Sequence, residues 1–370
     1  MDRSTAEAMD RQDPLARFRD RFDISEDGPV YMDGNSLGRP PRDVSEAVEA
    51  GLKDWRTVLV SGWESWIELP AQVGDRLGRL LGAAEGQALV CDSTTVNLYK
   101  LASAALGVRQ DRPVIVGDAS DFPTDRYVLE GLARATGRQL RLVDTGGDPA
   151  KAAEVISDAI GADTALVCLS HVNYRSGLRL DVPALTAVAH EHGALVLWDL
   201  AHSAGAVPMD LDGWGVDLAV GCTYKYLNSG PGAPGFLYVR QELQDDLRQP
   251  IWGWFGRASQ FEMGPGYEPA GGVASFMTGH PRSSRADGRR RLFEGHRGGG
   301  RRRPLAQVRE VHGHAGRVGR REAGPVRCPP GHAPVRRAAR SARVGLAPRG
   351  LGVVPDARPA RPGRPGLPDP

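Results

Sequence analysis

Apolar residues follow two rhythms along this chain. Over 42–58 (RDVSEAVEAGLKDWRTV), Val44, Val48, Leu52 and Trp55 recur on one helical face, which predicts an amphipathic helix. Residues 70–83, opening on Pro70, repeat that pattern. Short continuous apolar runs then appear at 87–91, 113–117, 164–169, 194–198, 216–221 and 235–239. Helical patterns at 95–107, 124–136, 150–160 and 182–192 separate several of them. Buried strands alternating with amphipathic helices predict an α/β fold, with a mainly parallel sheet covered on both faces. Ligands of such sheets sit at the carboxyl ends of the strands. The polar residues just after each run are therefore the first candidates for chemistry. They are Ser93-Thr94-Thr95, Asp121 to Asp125, Ser170-His171, Asp199 with His202, and Thr223-Tyr224-Lys225.

Beyond Gly279 neither rhythm survives. Residues 281–370 contain no Ile, Tyr, Trp, Met, Asn, Thr or Lys, and Arg, Gly and Pro fill 50 of the 90 positions. Such composition predicts low complexity or disorder. It also unbalances the charge. The net +2 of the whole chain divides into −14 over residues 1–280 and +16 over 281–370. The four cysteines (Cys91, Cys168, Cys222, Cys328) have no paired spacing, so reduced thiols are expected, with neither a disulfide frame nor a metal site. The first twenty residues lack an apolar core and no run is long enough to span a bilayer, so a cytoplasmic protein is expected.

The strand ends carry the parts that pyridoxal 5′-phosphate (PLP) chemistry requires. Lys225, after the strand VDLAVG, can hold the cofactor as a Schiff base. Asp199, after ALVLW and 26 residues earlier, can keep the pyridine nitrogen protonated. Thr94 and Thr95 open a helix whose free N–H groups can bind phosphate. Phe122 can plate the ring, and the loop Asn228 to Gly235 (NSGPGAPG) allows close backbone approach. Each residue alone has an ordinary explanation: a solvated lysine, a helix-capping Asp199 or Thr94, a hydrogen-bonded structural His202. Their joint order on successive strand ends favours the cofactor.

The stretches YMDGNSLGRPP (31–41), STTVNLYK (93–100), DFPTDRY (121–127), SHVNYRSG (170–177), WDLAHSAGAVPMDLDGWGVDLAVGCTYKYLNSGPGAPGFLYV (198–239) and GWFGRASQFEMGPGYEP (253–269) resemble the kynureninases. These are PLP enzymes of the aspartate-aminotransferase fold type, fold type I. The resemblance covers about residues 12–279. WDLAHSAG is shared more loosely with cysteine desulfurases. The resemblance implies a mainly parallel seven-stranded sheet flanked by helices and a small C-terminal domain. It makes Lys225 the Schiff-base lysine and Asp199 the pyridine partner. Thr94, Thr95, Ser170, His202 and Tyr224 match contacts around the ring and phosphate, and Phe122, Thr124 and Asp125 the ring-stacking loop. Trp254 matches a tryptophan that reaches the neighbouring subunit's cofactor, and Trp63 one that faces the substrate's aromatic ring. The implied reaction is hydrolysis of L-kynurenine, or its 3-hydroxy form, to the anthranilate and L-alanine in a homodimer. Tyr224 is the expected proton donor or relay near the phosphate.

The family pattern continues after SFMTG with a threonine, a proline and an apolar helix; here it stops at His280. A frameshift explains the break. Read one base later, a histidine codon becomes Thr or Ile, and arginine codons become Val, Ala, Asp, Glu or Gly. The expected organisation is an N-terminal arm (1–40), a PLP-binding large domain (41–279) and an Arg/Gly/Pro-rich tail (280–370), with the small domain missing or scrambled. A genuine basic tail that binds nucleic acid is the other explanation, but no aromatics interleave its arginines. A fold-type-I lyase such as a cysteine desulfurase, or an inactive remnant of the fold, stays open as an alternative to kynurenine hydrolysis.

Overall fold

A computed structural model describes residues 2–25, 27–145 and 148–280. The second of the two units into which the chain divides, 308–370, lies outside them. So do the expectations of a disordered, frameshifted or nucleic-acid-binding tail, and Cys328.

Seven strands form one sheet: β1 Ala88–Leu89, β2 Val114–Asp118, β3 Gln139–Val143, β4 Thr164–Ser170, β5 Leu195–Asp199, β6 Leu218–Cys222 and β7 Gly235–Val239. Their spatial order is β1-β7-β6-β5-β4-β2-β3. From β3 through β6 every pairing is parallel. Strand β7 runs antiparallel to both β6 and β1. Six of the strands sit where continuous apolar runs predict them. Strand β3 has no such run. It is an edge strand that alternates Leu140 and Leu142 with Arg141, and only Val143 is buried. Half-exposed edges of this kind do not need the fully apolar sequence of a central strand.

The helices are α1 Arg3–Gln12, α2 Arg42–Val58, α3 Trp63–Trp66, α4 Leu69–Leu81, α5 Thr94–Val108, α6 Pro123–Thr136, α7 Pro149–Ala159 and α8 Val182–Glu191. All but the first and third match the predicted helices to within two residues. Local chemistry sets the ends. Pro70 and Pro123 stand at the first helical turns, and Gly82 and Gly137 close α4 and α6 in the left-handed conformation. Helix α1 buries no side chain, so no apolar stripe announces it; Asp2 caps it by accepting from the Thr5 amide.

Side chains alternate across the sheet. Val167, Leu169, Val196 and Trp198 face one layer with α4 and α8; Leu166, Cys168, Leu195 and Leu197 face the other with α5 and α6. Covering both faces brings the strand ends, where β2, β4, β5 and β6 stop at Asp118, Ser170, Asp199 and Cys222, to one edge. Among the described residues no helix is long and apolar enough to cross a membrane.

Candidate active site

Two lysines are buried among the described residues, Lys100 and Lys225. Lys100 is fully enclosed and committed: Nζ donates to Asp92 Oδ2 at 2.7 Å and to the Phe276 carbonyl at 2.7 Å. Among the described residues Lys225 makes no salt bridge with a carboxylate. Its Nζ lies 2.8 Å from His202 Nε2, 5.8 Å from the Phe122 ring centroid and 5.9 Å from the Tyr224 ring. Burial, reinforced by the charge of Lys225, pushes His202 down to about 4. The imidazole is therefore neutral near pH 7 and can accept from the amine.

Lys225 hangs on a tight turn beyond β6. Asn228 N–H donates to the Lys225 carbonyl and Ser229 N–H to that of Thr223. Asn228 adopts φ +53°, the left-handed region that asparagine tolerates better than most residues. The N-terminal arm crosses this turn: Gly38 N–H donates to the Tyr224 carbonyl at 2.8 Å. A Cβ on Gly38 would lie 2.1 Å from Asn228 Oδ1, so the crossing needs glycine.

Carboxylates line the other wall. Asp199 ends β5, and Asp121 and Asp125 flank Phe122 at the start of α6; all three are buried. Asp199 Oδ1 accepts from the Ala201 amide at 2.8 Å, and Asp121 Oδ2 from the Ser170 amide at 3.1 Å. Burial, with Asp118 nearby, raises Asp121 to about 7. Burial and the neighbouring Asp199 and Asp121 charges raise Asp125 well above the carboxylate range, and burial raises Asp199 as well. Both members of the Asp125–Asp199 pair are thus held above the ordinary carboxylate range by burial, with Asp125 also raised by the Asp199 and Asp121 charges. Such a wall is short of positive charge and suits a protonated ring nitrogen.

An anion cup stands at the N-terminus of α5. Ser93 Oγ accepts from the Val96 amide, and Thr94 Oγ1 donates to the Gly221 carbonyl at 3.2 Å. Among the described residues the Thr94 and Thr95 amides meet no acceptor. A Cβ on Gly235 would lie 2.8 Å from the Thr94 nitrogen, so glycine lets β7 pass against the cup. Burial raises Tyr224 to about 12, which keeps its phenol protonated at neutral pH.

The structure thus gathers Lys225, His202, Tyr224, Phe122, Asp125 and Asp199 into one site. Ser170 stands beside Asp199 in register, and Thr94, Thr95 and Thr124 open the two adjoining helices. Trp63 and Trp254 form a separate group. Both rings touch Phe255 and His280, with Trp63–His280 centroids 4.8 Å and Trp254–His280 centroids 5.0 Å apart. Asp121, one of the strand-end candidates, joins the site by accepting from the Ser170 amide. Tyr174 is the member that carries no sequence signal of its own: it reaches Phe122 and His202 from a loop of unremarkable polarity.

The class-V aminotransferase family pattern matches residues 30–258. A kynureninase of Pseudomonas fluorescens is 48% identical over 281 residues, covering 74% of this chain and 66% of that one. The chain belongs to the class-V aminotransferase family, in its kynureninase group. A second kynureninase, from Burkholderia pseudomallei strain 1106a, is 44% identical over 286 residues, covering 75% of this chain and 67% of that one. The chain spans about two thirds of the length of these curated kynureninases. Solved structures share the fold at low identity. A C-DES mutant with glycine covalently linked to its PLP cofactor superposes with TM-score 0.68 at 20% identity, over 78% of this chain and 75% of that one. The cysteine desulfurase CsdA of Escherichia coli gives 0.67 at 18%, over 78% and 73%. The kynureninase group thus has the PLP fold type I architecture, with the mixed, mainly parallel sheet described above.

Proposed function

We propose that this site holds PLP at Lys225 and serves the hydrolysis of L-kynurenine, or of its 3-hydroxy form, to anthranilate and L-alanine. The observation that carries the reading is the buried Lys225 amine, 2.8 Å from a neutral imidazole, with its charge felt by the buried carboxylates Asp125 and Asp199. The donor set fits the cofactor. Asp199 would hold the pyridine nitrogen, with Asp125 steadying it. The Thr94 and Thr95 amides would take the phosphate, joined by Ser170, Thr124 and the Tyr224 phenol, and Phe122 would cover the ring. PLP bound there supplies an electron sink for the carbanions of an amino-acid substrate.

The chain's own groups handle protons. The Lys225 amine is the base for the substrate's α-proton, and His202 Nε2 is placed to accept from it. Tyr224, protonated at neutral pH, is the donor beside it. Trp63 and Trp254 gather about Phe255 and His280. That arrangement is compatible with Trp254 serving the cofactor of a second copy and Trp63 meeting the substrate's aryl ring. The expected assembly is a homodimer in the cytoplasm, built on the large domain of 41–279.

A desulfurase reading shares the fold but needs a reactive thiolate. Cys91, Cys168 and Cys222 are buried, and burial raises all three, Cys91 and Cys222 to about 11. Nucleophilic sulfur is therefore absent from the described residues.

The full chain, loaded with PLP and mixed with L-kynurenine, should develop anthranilate fluorescence. Lys225→Ala should lose both that signal and the visible absorbance of covalently held cofactor. Absence of anthranilate even from a chimaera carrying a relative's C-terminal region would defeat the reading.

A further inference from the structure

We propose that Tyr174 is a positioning residue of this site, holding Phe122 and His202 in place about Lys225. The inference rests on the reading of the site as a PLP site. Tyr174 sits edge-on to Phe122, with centroids 5.2 Å apart and planes at 84°, and tilted 33° to His202 at 6.4 Å. Phe122 and His202 are also the groups on either side of the Lys225 amine. Lys225, His202, Tyr174 and Phe122 therefore close a ring of contacts around the place where the amine reacts.

The loop that presents Tyr174 is built for placement. Val172 bridges to Arg179 in antiparallel fashion, and His171 N–H donates to the Asp199 carbonyl at 2.9 Å. Buried Asn173 organises the turn. Its Oδ1 accepts from the Arg175 and Ser176 amides at 3.0 and 3.1 Å. Its Nδ2 donates to the Ser120 carbonyl and to Ser120 Oγ, both at 3.0 Å. Ser120 belongs to the turn that leads into Phe122. The two loops that carry the facing rings are thus joined one residue from Tyr174 and two from Phe122.

Tyr174 belongs to neither core cluster, and Phe122 is 41% exposed. Their contact adds little to the fold. It restrains a half-exposed phenyl ring beside Lys225. The ring, not the hydroxyl, makes both contacts. Removing it leaves Phe122 and His202 free to shift about Lys225, which changes the surroundings of the bound cofactor.

The test titrates PLP into the full-length parent, Tyr174→Phe, Tyr174→Leu and Tyr174→Ala. It follows the visible absorbance of bound cofactor, its pH midpoint and the unfolding temperature of the apo protein. Tyr174→Phe should match the parent throughout. Tyr174→Leu and Tyr174→Ala should loosen PLP roughly three- to tenfold, the scale of one edge-to-face aromatic contact. Both should shift the pH midpoint while leaving apo unfolding unchanged. Two results overturn the inference: parent-like binding and midpoint in Tyr174→Ala, or equal losses in Tyr174→Phe and Tyr174→Ala. A parent without the visible band would instead overturn the PLP reading beneath it.

Discussion

Lys225 and Lys100 show how surroundings decide what a buried amine can do. Lys100 has an anionic partner and is locked; Lys225 has a neutral imidazole and is available. The carboxylates opposite obey the same logic and give a testable pH dependence. Asp121 sits at about 7 in the fold against 3.8 for the free side chain, so the folded state holds a proton that the unfolded chain releases. Its favourable contribution is complete below the unfolded value and is lost as pH rises through the folded one. His202, displaced downward, contributes in the opposite sense. A comparison with Asp121→Asn isolates one group, because the amide oxygen can still accept from Ser170 N–H. In urea unfolding of the apo protein, the variant should gain on the parent between about pH 5 and about pH 8. An equal stability difference at both would sink this account. Lys225, Asp199 and His202 are legible in the sequence because each follows an apolar run at a sheet's chemical edge. Tyr174 is not, since its importance lies in contacts with residues 28 or more positions away.

Elements that meet at the site are tied by polar struts rather than by apolar packing alone. Asp92, at φ +44°, stands where β1 hands over to α5 and receives Lys100 Nζ and the Thr278 hydroxyl. The strut fixes the anion cup of Thr94 and Thr95 to the 3₁₀ turn Gly272–Phe276, whose last carbonyl also accepts from Lys100. Lys100→Met should cost roughly 3 kcal/mol, because it removes one partner of a largely buried ion pair. The unfolding midpoint of the apo protein reads this, and an unchanged midpoint would mean the strut carries no load. PLP affinity should weaken in parallel as the cup loosens. The helices were readable because their periodicity and Pro or Gly ends coincide. Edge strand β3 was not, since an edge tolerates polar residues, and neither was the reversal of β7, which depends on pairing rather than on composition.

For the whole molecule, the decisive quantity is the share of the relatives' length that the chain spans, about two thirds. The described residues supply one complete sheet and every group assigned to the cofactor. The arginine that would take the substrate's carboxylate belongs, by resemblance, to the small domain and has no counterpart among them. Cofactor binding and turnover are therefore separable. A gene resequenced around codon 280 is expected to show a shifted frame. Restoring that frame should raise anthranilate production strongly, with a much smaller change in PLP affinity. An intact frame, with the intact mass of this tail, would instead make the arginine-rich segment genuine. The crossing of the N-terminal arm over the Lys225 turn has a further consequence, for the order of assembly. Gly38 must meet Tyr224, and Ala88 must pair with Tyr238, across separations that make both contacts late and slow in folding. A ribosome has to deliver nearly the whole sheet before the lysine turn can be clamped. Cofactor capture is therefore expected late in folding, and a pulse-labelled chain arrested before β7 should emerge colourless.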